Sequence, residues 1–233
     1  ITVCPGYGLS ETSPVLTVNP ERKIKPETVG PALPGVDVKM DVDGELLARG
    51  SMVMQGYWNK PDETTAVLGK DGWLHTGDLV EMDADGYVRI VDRKKELMVL
   101  SNGENVPPAR VEKRLAIDPC VLQAMVVGDQ KPQLTALVVP DAAQLGAAWR
   151  RERKRPLPQD WQENADVHQW LLQRMHHCCH ELPTFMQVKD FVFVDEEWTQ
   201  TAGMLTPTLK FKRRKIMARH QAGIDAMYAE GSA

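Results

Sequence analysis

Two runs of alternating apolar and charged residues, each beside an Asp-Gly pair, dominate the first ninety positions. Residues 36–42, VDVKMDV, alternate with period two, and Asp43-Gly44 leads from them into the run 45–49. Farther along, Asp85-Gly86 stands next to the alternating run YVRIVD. Alternation is typical of half-buried strands, and Asp-Gly between two such runs is typical of a tight turn. We therefore predict a hairpin whose first strand runs to Val42, and a second turn that leads into a strand.

The pattern changes after Asp92. Residues 1–92 are predicted to be mostly β-structure, starting with a loop rich in Gly and Pro and a short strand at Val15–Val18. Strands and helices then alternate, as in a small α+β or α/β module. The predicted elements of this second part are a helix at Ala109–Ile117, strands at Val121–Val127, Leu134–Val139 and Phe191–Val194, and a helical region over Asp141–Glu181 that is interrupted at Pro156–Pro158. We place the domain boundary in the charged run Asp92–Lys95, which gives domains 1–92 and 93–233.

The composition and net charge limit the kinds of protein that this sequence could be. The 233 residues are 42% hydrophobic, enough to bury one substantial core or two small ones. The formal net charge of −4 gives no general electrostatic reason for nucleic-acid binding, so we expect no nucleic-acid partner. The sequence shows neither an apolar run of about 18 residues nor a signal peptide pattern. Because it starts with ITVCPGYG and not with Met, we expect the chain to begin inside a longer protein.

The cysteines and histidines allow a metal interpretation, which we weigh against a simpler one. The four cysteines are Cys4, Cys120, Cys178 and Cys179. They show no CxxC spacing, and free thiols in a reducing cytoplasm are the simplest explanation. In the run HHCCH, neighbours on a helix would point about 100° apart, so at most His176 and His180 would share a face. We favour a helix with mixed solvent and core faces over a metal site.

Two short segments carry side chains that suit a nucleotide. In the first, GYGLSET, small residues let the backbone approach a ligand and Tyr7 offers a face to a base. Ser10 offers a hydroxyl to a phosphate, and Glu11 offers a hard oxygen ligand to Mg²⁺. In the second, WLHTGDL, the carboxylate of Asp78 follows a glycine turn and suits the two hydroxyls of a ribose. Taken alone, each segment is explained more simply as a glycine-containing turn.

Two further segments lie in the second part of the sequence. The charged run DRKKEL continues into SNGENVPP, and LTPTLKFKRR lies near the C-terminus. A lysine on a proline-containing loop, such as Lys210, could reach an anionic transition state as a point charge. The competing interpretation is a basic tail that solvates the chain end or attracts anionic lipid.

In this order and spacing, the four segments resemble the adenylate-forming, AMP-binding superfamily of acyl-CoA synthetases, peptide-synthetase adenylation domains and luciferases. The resemblance runs from Tyr7 to Arg214. The forms DRKKELMVLSNGENVPPARVE and LTPTLKFKRR are similar to the long-chain fatty acyl-CoA synthetase branch. The resemblance implies an α+β fold, with 1–92 as the β-rich end of a large AMP-binding domain and 93–233 as a small, mobile C-terminal domain.

The resemblance also implies a role for each matching residue. The nucleotide residues would be Tyr7 and Gly8 on adenine, Ser10 on the α-phosphate, Glu11 on Mg²⁺, and Asp78 and Arg93 on the ribose side. Ser10 stands where the family usually has Thr, and the hydroxyl is kept. Lys95 would be the hinge between the domains, and Gly103 would border the channel for the pantetheine arm of CoA. Lys210 would be the catalytic lysine of adenylation, and its neighbour Lys212 remains an alternative.

The implied reaction has two steps. A fatty acid and MgATP give acyl-AMP and pyrophosphate, and CoA then displaces AMP, with a rotation of the small domain between the steps. The family also needs a phosphate loop and a fatty-acid tunnel, which are not among these 233 residues. We therefore expect the chain alone to be inactive and to need the N-terminal part of the same protein. We expect a cytoplasmic enzyme, and its lipid substrate would allow peripheral membrane contact through the basic run Lys210–Arg219.

Three other interpretations stay open at this point. A peptide-synthetase adenylation domain and a luciferase-like oxidase share the motifs. A non-catalytic nucleotide-sensing module could keep the fold. The joint presence of Glu11, Asp78, Arg93 and Lys210 argues against the last, because a relic has no physical reason to retain all four.

Overall fold

The computed structural model describes residues 1–229, which fall into two units. The first unit covers residues 1–97, and the second begins at Met98. The elements of the first unit are β1 (Gly6–Gly8), β2 (Val15–Val18), β3 (Asp37–Met40), β4 (Glu45–Arg49), α1 (Pro61–Val67), β5 (Leu74–Met82) and β6 (Val88–Arg93). Strands β3 to β6 form one antiparallel sheet in sequence order, and β1 pairs with β2 in a separate hairpin.

The first predicted hairpin is confirmed, but its turn is longer than the sequence suggested. Asp37 lies opposite Arg49 in the β3–β4 register. The Asp41 N–H donates to the Glu45 carbonyl at 2.8 Å, and Gly44 closes the turn at φ 85°. The turn contains the three residues 42–44 between Asp41 and Glu45, and Val42, the first of them, is fully exposed. The prediction that the strand reaches Val42 is therefore wrong.

The second predicted turn joins β5 to β6 and is also confirmed. The Asp83 N–H donates to the Tyr87 carbonyl at 3.1 Å, and the Gly86 N–H donates to the Asp83 carbonyl at 2.9 Å. Gly86 has φ 78°, which a residue with a side chain rarely adopts. The small core of this unit centres on Leu46, Val80 and Val88 from three adjacent strands.

The second unit is a mixed sheet with helices. Its elements are β7 (Met98–Val99), β8 (Asn105–Val106), α2 (Pro108–Leu115), β9 (Val121–Val127), β10 (Thr135–Pro140), α3 (Ala142–Arg153), α4 (Ala165–Cys178), β11 (Asp190–Phe193), α5 (Arg213–Arg219) and α6 (Gln221–Ala229). The main sheet has the order β11-β10-β9, with β10 antiparallel to β9 and parallel to β11. The predicted helices and strands are present, with ends shifted by one or a few residues, and the α+β prediction is confirmed.

The alternation of β9 and β10 explains why helices cover both faces of this sheet. Val126 and Val138 pack in a cluster with residues of α2, α3 and α4. Met125 and Leu137, one position earlier on each strand, pack in a second cluster with residues of α5 and α6. Successive side chains of a strand point to opposite faces, so two continuously apolar strands need partners on both sides.

The helical region predicted over 141–181 forms two helices, each with a side-chain cap. The Asp141 carboxylate accepts from the Gln144 N–H at the start of α3. The Asn164 side chain accepts from the Asp166 and Val167 N–H groups at the start of α4. Such caps satisfy donors that a helix start leaves unpaired. In residues 1–229 no helix has both the length and the apolar character needed to cross a bilayer.

The structure describes all four cysteines, and none forms a disulfide. Cys178 is the last residue of α4, and Cys179 is buried directly after it. The His176 ring donates from Nε2 to the Val188 carbonyl at 2.6 Å. Within the described range, no three His, Cys, Asp or Glu side chains gather as metal ligands. His177 and His180 are exposed, so the run HHCCH has both solvent-facing and core-facing residues.

Candidate functional site

Asp78 is the centre of a hydrogen-bonded group in the first unit. Its side chain is only 3% exposed and lies on β5. The Tyr7 hydroxyl donates to Asp78 Oδ2 at 2.5 Å, and Arg93 Nε lies 3.0 Å from Asp78 Oδ1. Asp78 and Arg93 are direct partners in the β5–β6 register. Three residues that are far apart in the sequence therefore meet at one carboxylate, which keeps further lone pairs for a ligand.

Tyr7 acts as a hydrogen-bond donor at this site. Burial raises the pKa of its phenol, and the hydrogen bond to Asp78 and the charge of that carboxylate raise the pKa further. The phenol therefore stays protonated at any ordinary pH, and it can keep donating to Asp78. The sequence had predicted that the ring of Tyr7 packs on adenine, and it gave no sign of the bond to Asp78.

Glycine is required next to Tyr7 by simple sterics. A Cβ added to Gly8 would lie 1.6 Å from the Pro14 carbonyl oxygen, so any other residue would force the loop open. The register of β1 and β2 shifts at this point. The buried Thr12 hydroxyl holds the loop: it accepts from the Leu9 N–H at 3.0 Å and donates its single proton toward the Pro14 carbonyl at 2.9 Å.

A cleft of about 460 Å³ lies within the first unit. Of the predicted residues, Glu11, Arg93 and Lys95 line it. Its other lining residues are Leu9, Glu45, Tyr57, Ala66, Val67, Leu74, His75, Thr76, Gly77 and Lys94. Ser10, exposed and directly before Glu11, is not among them. The cleft thus combines carboxylates and cationic side chains, as an anionic nucleotide with a divalent cation would need.

Glu11 has the chemistry expected of a magnesium ligand. Its side chain is half-buried at the cleft wall, where the Tyr57 hydroxyl donates to Oε1 at 2.8 Å. Mg²⁺ is commonly held by one or two carboxylates together with substrate phosphates and water, so one protein carboxylate fits this use. Tyr57 is a residue that sequence reasoning missed, because a lone tyrosine after a glycine carries no spacing signal.

Glu45 is a second residue that sequence reasoning missed. Its carboxylate is 4% exposed and accepts from the Gly77 N–H at 2.8 Å, from Lys94 Nζ at 2.9 Å and from His75 Nδ1 at 3.2 Å. Burial by itself would raise the pKa of Glu45, but these donors outweigh burial and hold the pKa below its ordinary value. Lys94 also contacts Asp43 at 2.5 Å. In the sequence Glu45 looked like an ordinary strand residue.

Lys95 follows Lys94 in the short turn Lys94–Glu96, where both side chains are exposed. Gly103 and Lys210 belong to the second unit. Gly103 lies exposed at φ 87° in the turn between β7 and β8. Its N–H donates to the Leu100 carbonyl at 2.9 Å, and a Cβ there would meet open space.

Lys210 lies on an exposed loop with a defined backbone. The Thr206 N–H donates to the Lys210 carbonyl at 2.8 Å, and the Lys210 N–H donates to Thr206 Oγ1 at 3.0 Å. Leu209, directly before it, has φ 61°, an uncommon conformation for a residue with a side chain. Within the part of the chain that the structure describes, neither Lys210 nor Lys212 forms an ion pair. Both ammonium groups are therefore available to an anionic ligand.

The loop that carries Lys210 is anchored just after it. The Arg213 guanidinium donates to both oxygens of Glu112 on α2, at 2.7 and 2.8 Å. Glu112 Oε1 also accepts from the Val126 N–H on β9 at 2.9 Å. Both of these bonds come from Arg213 Nη2, and Arg213 Nη1 also donates to the Val126 carbonyl at 3.4 Å. Arg213 is thus a structural anchor and not a free basic residue of a solvated tail.

Two protein-family models together match most of the chain. The model of the AMP-binding enzyme family matches residues 1–58, and the model of the AMP-binding enzyme C-terminal domain matches residues 95–232.

Curated relatives and solved structures agree with that similarity. The chain is 37% identical to a Mycobacterium tuberculosis protein named as a fatty-acid–CoA ligase, fadD11, over 98% of this chain and 40% of that protein. It is 35% identical to the long-chain-fatty-acid–CoA ligase FadD15 of Mycobacterium bovis, over 98% of this chain and 38% of that protein. The adenylation domain of a carboxylic acid reductase from Segniliparus rugosus, solved with AMP and a carboxylic acid, is similar at 25% identity and a TM-score of 0.75, over 98% of this chain and 36% of that one. The chain therefore spans about two fifths of the length of these relatives.

Proposed function

This chain belongs to the AMP-binding enzyme family, and from that premise we propose that it is part of a long-chain fatty acid–CoA ligase. The observation that carries the proposal is the group formed by Tyr7, Asp78 and Arg93. It lies in the first unit, which also contains the cleft that Glu11 lines. Similarity to ligases at 35–37% identity supports a fatty acid and CoA as the other substrates. The reductase domain shares the acid-activating fold, so the adenylation half of the reaction is the part common to both.

In the proposed first half-reaction, the fatty-acid carboxylate attacks the α-phosphorus of ATP. The bond between the α-phosphorus and the bridging oxygen breaks, and acyl-AMP and pyrophosphate form. Asp78 accepts hydrogen bonds from the ribose hydroxyls, with Tyr7 and Arg93 holding it in place. Lys210 stabilises the charge that develops on the phosphoryl oxygens. Mg²⁺, which Glu11 would hold, neutralises phosphate charge when bound.

In the proposed second half-reaction, the thiol of CoA gives its proton to solvent and its sulfur attacks the acyl carbonyl. A carbon–sulfur bond forms, the bond between the acyl carbon and the phosphate oxygen breaks, and AMP leaves. The turn with Gly103 offers an exposed backbone for the pantetheine arm. Lys95 is the proposed hinge residue, since a change of domain orientation concentrates in a few exposed backbone positions. Four free thiols suit a reducing cytoplasm, which is the location we propose.

The full-length enzyme provides the test, with Lys210→Ala and the matched control Lys212→Ala. We expect Lys210→Ala to slow acyl-AMP formation by about 100-fold or more, because it removes a charge that acts on the transition state. Thioester formation from supplied acyl-AMP should change by less than about threefold, and Lys212→Ala should leave both steps near wild type. Pyrophosphate release and CoA consumption measure the two halves. Equal loss of both halves in Lys210→Ala would contradict the assignment, and the reverse pattern would move the role to Lys212.

A further inference from the structure

The strand pairing around Asp78 contains an irregularity that a side chain repairs. Glu45 lies opposite Leu79 in the β4–β5 register, whereas Leu47 lies opposite His75, so residues 76–78 bulge out of the ladder. Within the bulge, Glu45 Oε1 accepts from the Gly77 N–H at 2.8 Å. Bulges beside functional sites re-aim the side chains that they carry, and this one carries Asp78.

The same carboxylate also contacts the residue that directly follows β6, the strand paired with β5 at Asp78. Glu45 Oε2 lies 2.9 Å from Lys94 Nζ, and Lys94 directly follows Arg93. Arg93 in turn is both the register partner and the ion-pair partner of Asp78. Glu45 therefore bonds to Gly77, which directly precedes Asp78, and to Lys94, which directly follows Arg93.

Burial makes these contacts strong. The Glu45 side chain is 4% exposed, whereas the side chain of Asp43, the other carboxylate on Lys94, is 43% exposed. A buried carboxylate must keep its donors, because the loss of one leaves an uncompensated polar group. An exposed carboxylate is hydrated whether or not it is paired, so its ion pair contributes little.

From this geometry we propose that Glu45 is a positioning residue for nucleotide binding, which acts through the Gly77 bulge and Lys94 to hold Asp78 and Arg93 on the ribose. The inference rests on the proposed function, since it assumes that Asp78 binds the ribose diol. Glu45 itself need not touch the nucleotide.

The test compares two nucleotides on the full-length protein by calorimetry. ATP carries the ribose diol, and 2′,3′-dideoxyATP lacks it. In Glu45→Gln we expect the Kd for ATP to rise about tenfold, the size of one lost buried hydrogen bond to a charged group. The Kd for 2′,3′-dideoxyATP should rise less than about twofold, because the contact that Glu45 positions is already missing. Asp43→Asn is the matched control, and it should leave the Kd values for both nucleotides within about twofold of wild type.

The outcomes separate the inference from the proposed function. Equal weakening for both nucleotides would show a merely structural role and overturn the inference, as would no weakening for ATP. A wild-type protein that binds neither nucleotide would overturn the proposed function and the inference with it. If Glu45→Gln fails to fold, Lys94→Gln serves instead, since its side chain is 44% exposed. In Lys94→Gln the Kd for ATP should again rise more than the Kd for 2′,3′-dideoxyATP, but by a smaller factor. Equal effects on both nucleotides would again overturn the inference.

Discussion

Asp78 shows how much a single side chain depends on neighbours that are distant in the sequence. It is buried on β5, yet it has a hydrogen-bond donor and a charge partner, because Tyr7 lies on β1 and Arg93 lies at the end of β6. Sequence reasoning identified all three residues through a family resemblance. It did not indicate that the Tyr7 hydroxyl bonds to the carboxylate, because no local spacing encodes a contact across 71 positions.

The titration of Glu45 gives a prediction at the residue scale. Its folded pKa lies below the ordinary 4.5, so the folded state keeps the carboxylate charged where the unfolded chain takes up a proton. Its contribution to stability is therefore complete well above pH 4.5 and is lost as the pH falls through the folded pKa. Thermal melting should show wild type more stable than Glu45→Gln near pH 7, with the difference shrinking below pH 4.5. A difference that stays constant down to pH 3 would contradict this account.

The four thiols give a second prediction at this scale. Burial, followed by the charge of Asp118, raises the pKa of Cys120 to about 12, and burial raises that of Cys179 to about 11. The thiolate is the reactive form, so both residues should resist iodoacetamide at pH 8. Cys4, which is partly exposed, should be labelled first. Mass spectrometry of the native protein measures the order, and the denatured protein is the control, in which the rates should converge. Labelling of native Cys120 as fast as Cys4 would be inconsistent with its burial.

At the scale of elements, sequence periodicity was a good guide to strands and helices. Strands β9 and β10 lie where two apolar runs predicted them, and α3 and α4 lie within the predicted helical region. Element ends were less well predicted. Val42 alternates like a strand residue, but the three-residue turn before Glu45 removes it from β3, since turn closure depends on backbone hydrogen bonds that alternation does not encode.

The link between α2 and the start of α5 supplies a prediction about elements. Glu112 and Arg213 are both mostly buried, with side chains 12% and 22% exposed. Glu112→Ala leaves Arg213 without its charge partner, and we expect a loss of about 3 kcal/mol in the free energy of unfolding. The control is Glu181→Gln, which removes the exposed partner of Arg114 on the same helix and should cost less than about 1 kcal/mol. Denaturant unfolding measures both, and equal effects would contradict the anchoring role of the buried pair.

At the scale of the whole molecule, the chain carries the group proposed to bind the nucleotide in its first unit and the proposed catalytic lysine in its second. The predicted domains, 1–92 and 93–233, assign residues 93–97 to the second part, whereas the first unit runs to Leu97. Arg93 ends β6 and Lys94 bonds to Glu45, so contacts tie the start of the charged run to the first sheet. The rotation of one domain against the other stays a prediction.

The share of its relatives that the chain covers yields the prediction at this scale. The chain spans about two fifths of the length of these relatives. We expect no ATP–pyrophosphate exchange from these 233 residues, because the family resemblance places the phosphate loop and the fatty-acid tunnel in the N-terminal part of such an enzyme. The full-length protein should show exchange that depends on added fatty acid. Exchange by the fragment alone would overturn this expectation.

The sequence by itself determined the main strands and helices of the second part, the two turns at Asp-Gly pairs and the set of residues that resemble a nucleotide site. These follow from short-range rules of periodicity and turn chemistry, and from motifs read in series. Only the tertiary structure decided that Tyr7 and Arg93 meet on Asp78, that Tyr57 bonds to Glu11, and that a buried Glu45 ties a bulge to Lys94. The physical reason is that such contacts join strands through register and burial, and neither is visible in the residues until the sheet has formed.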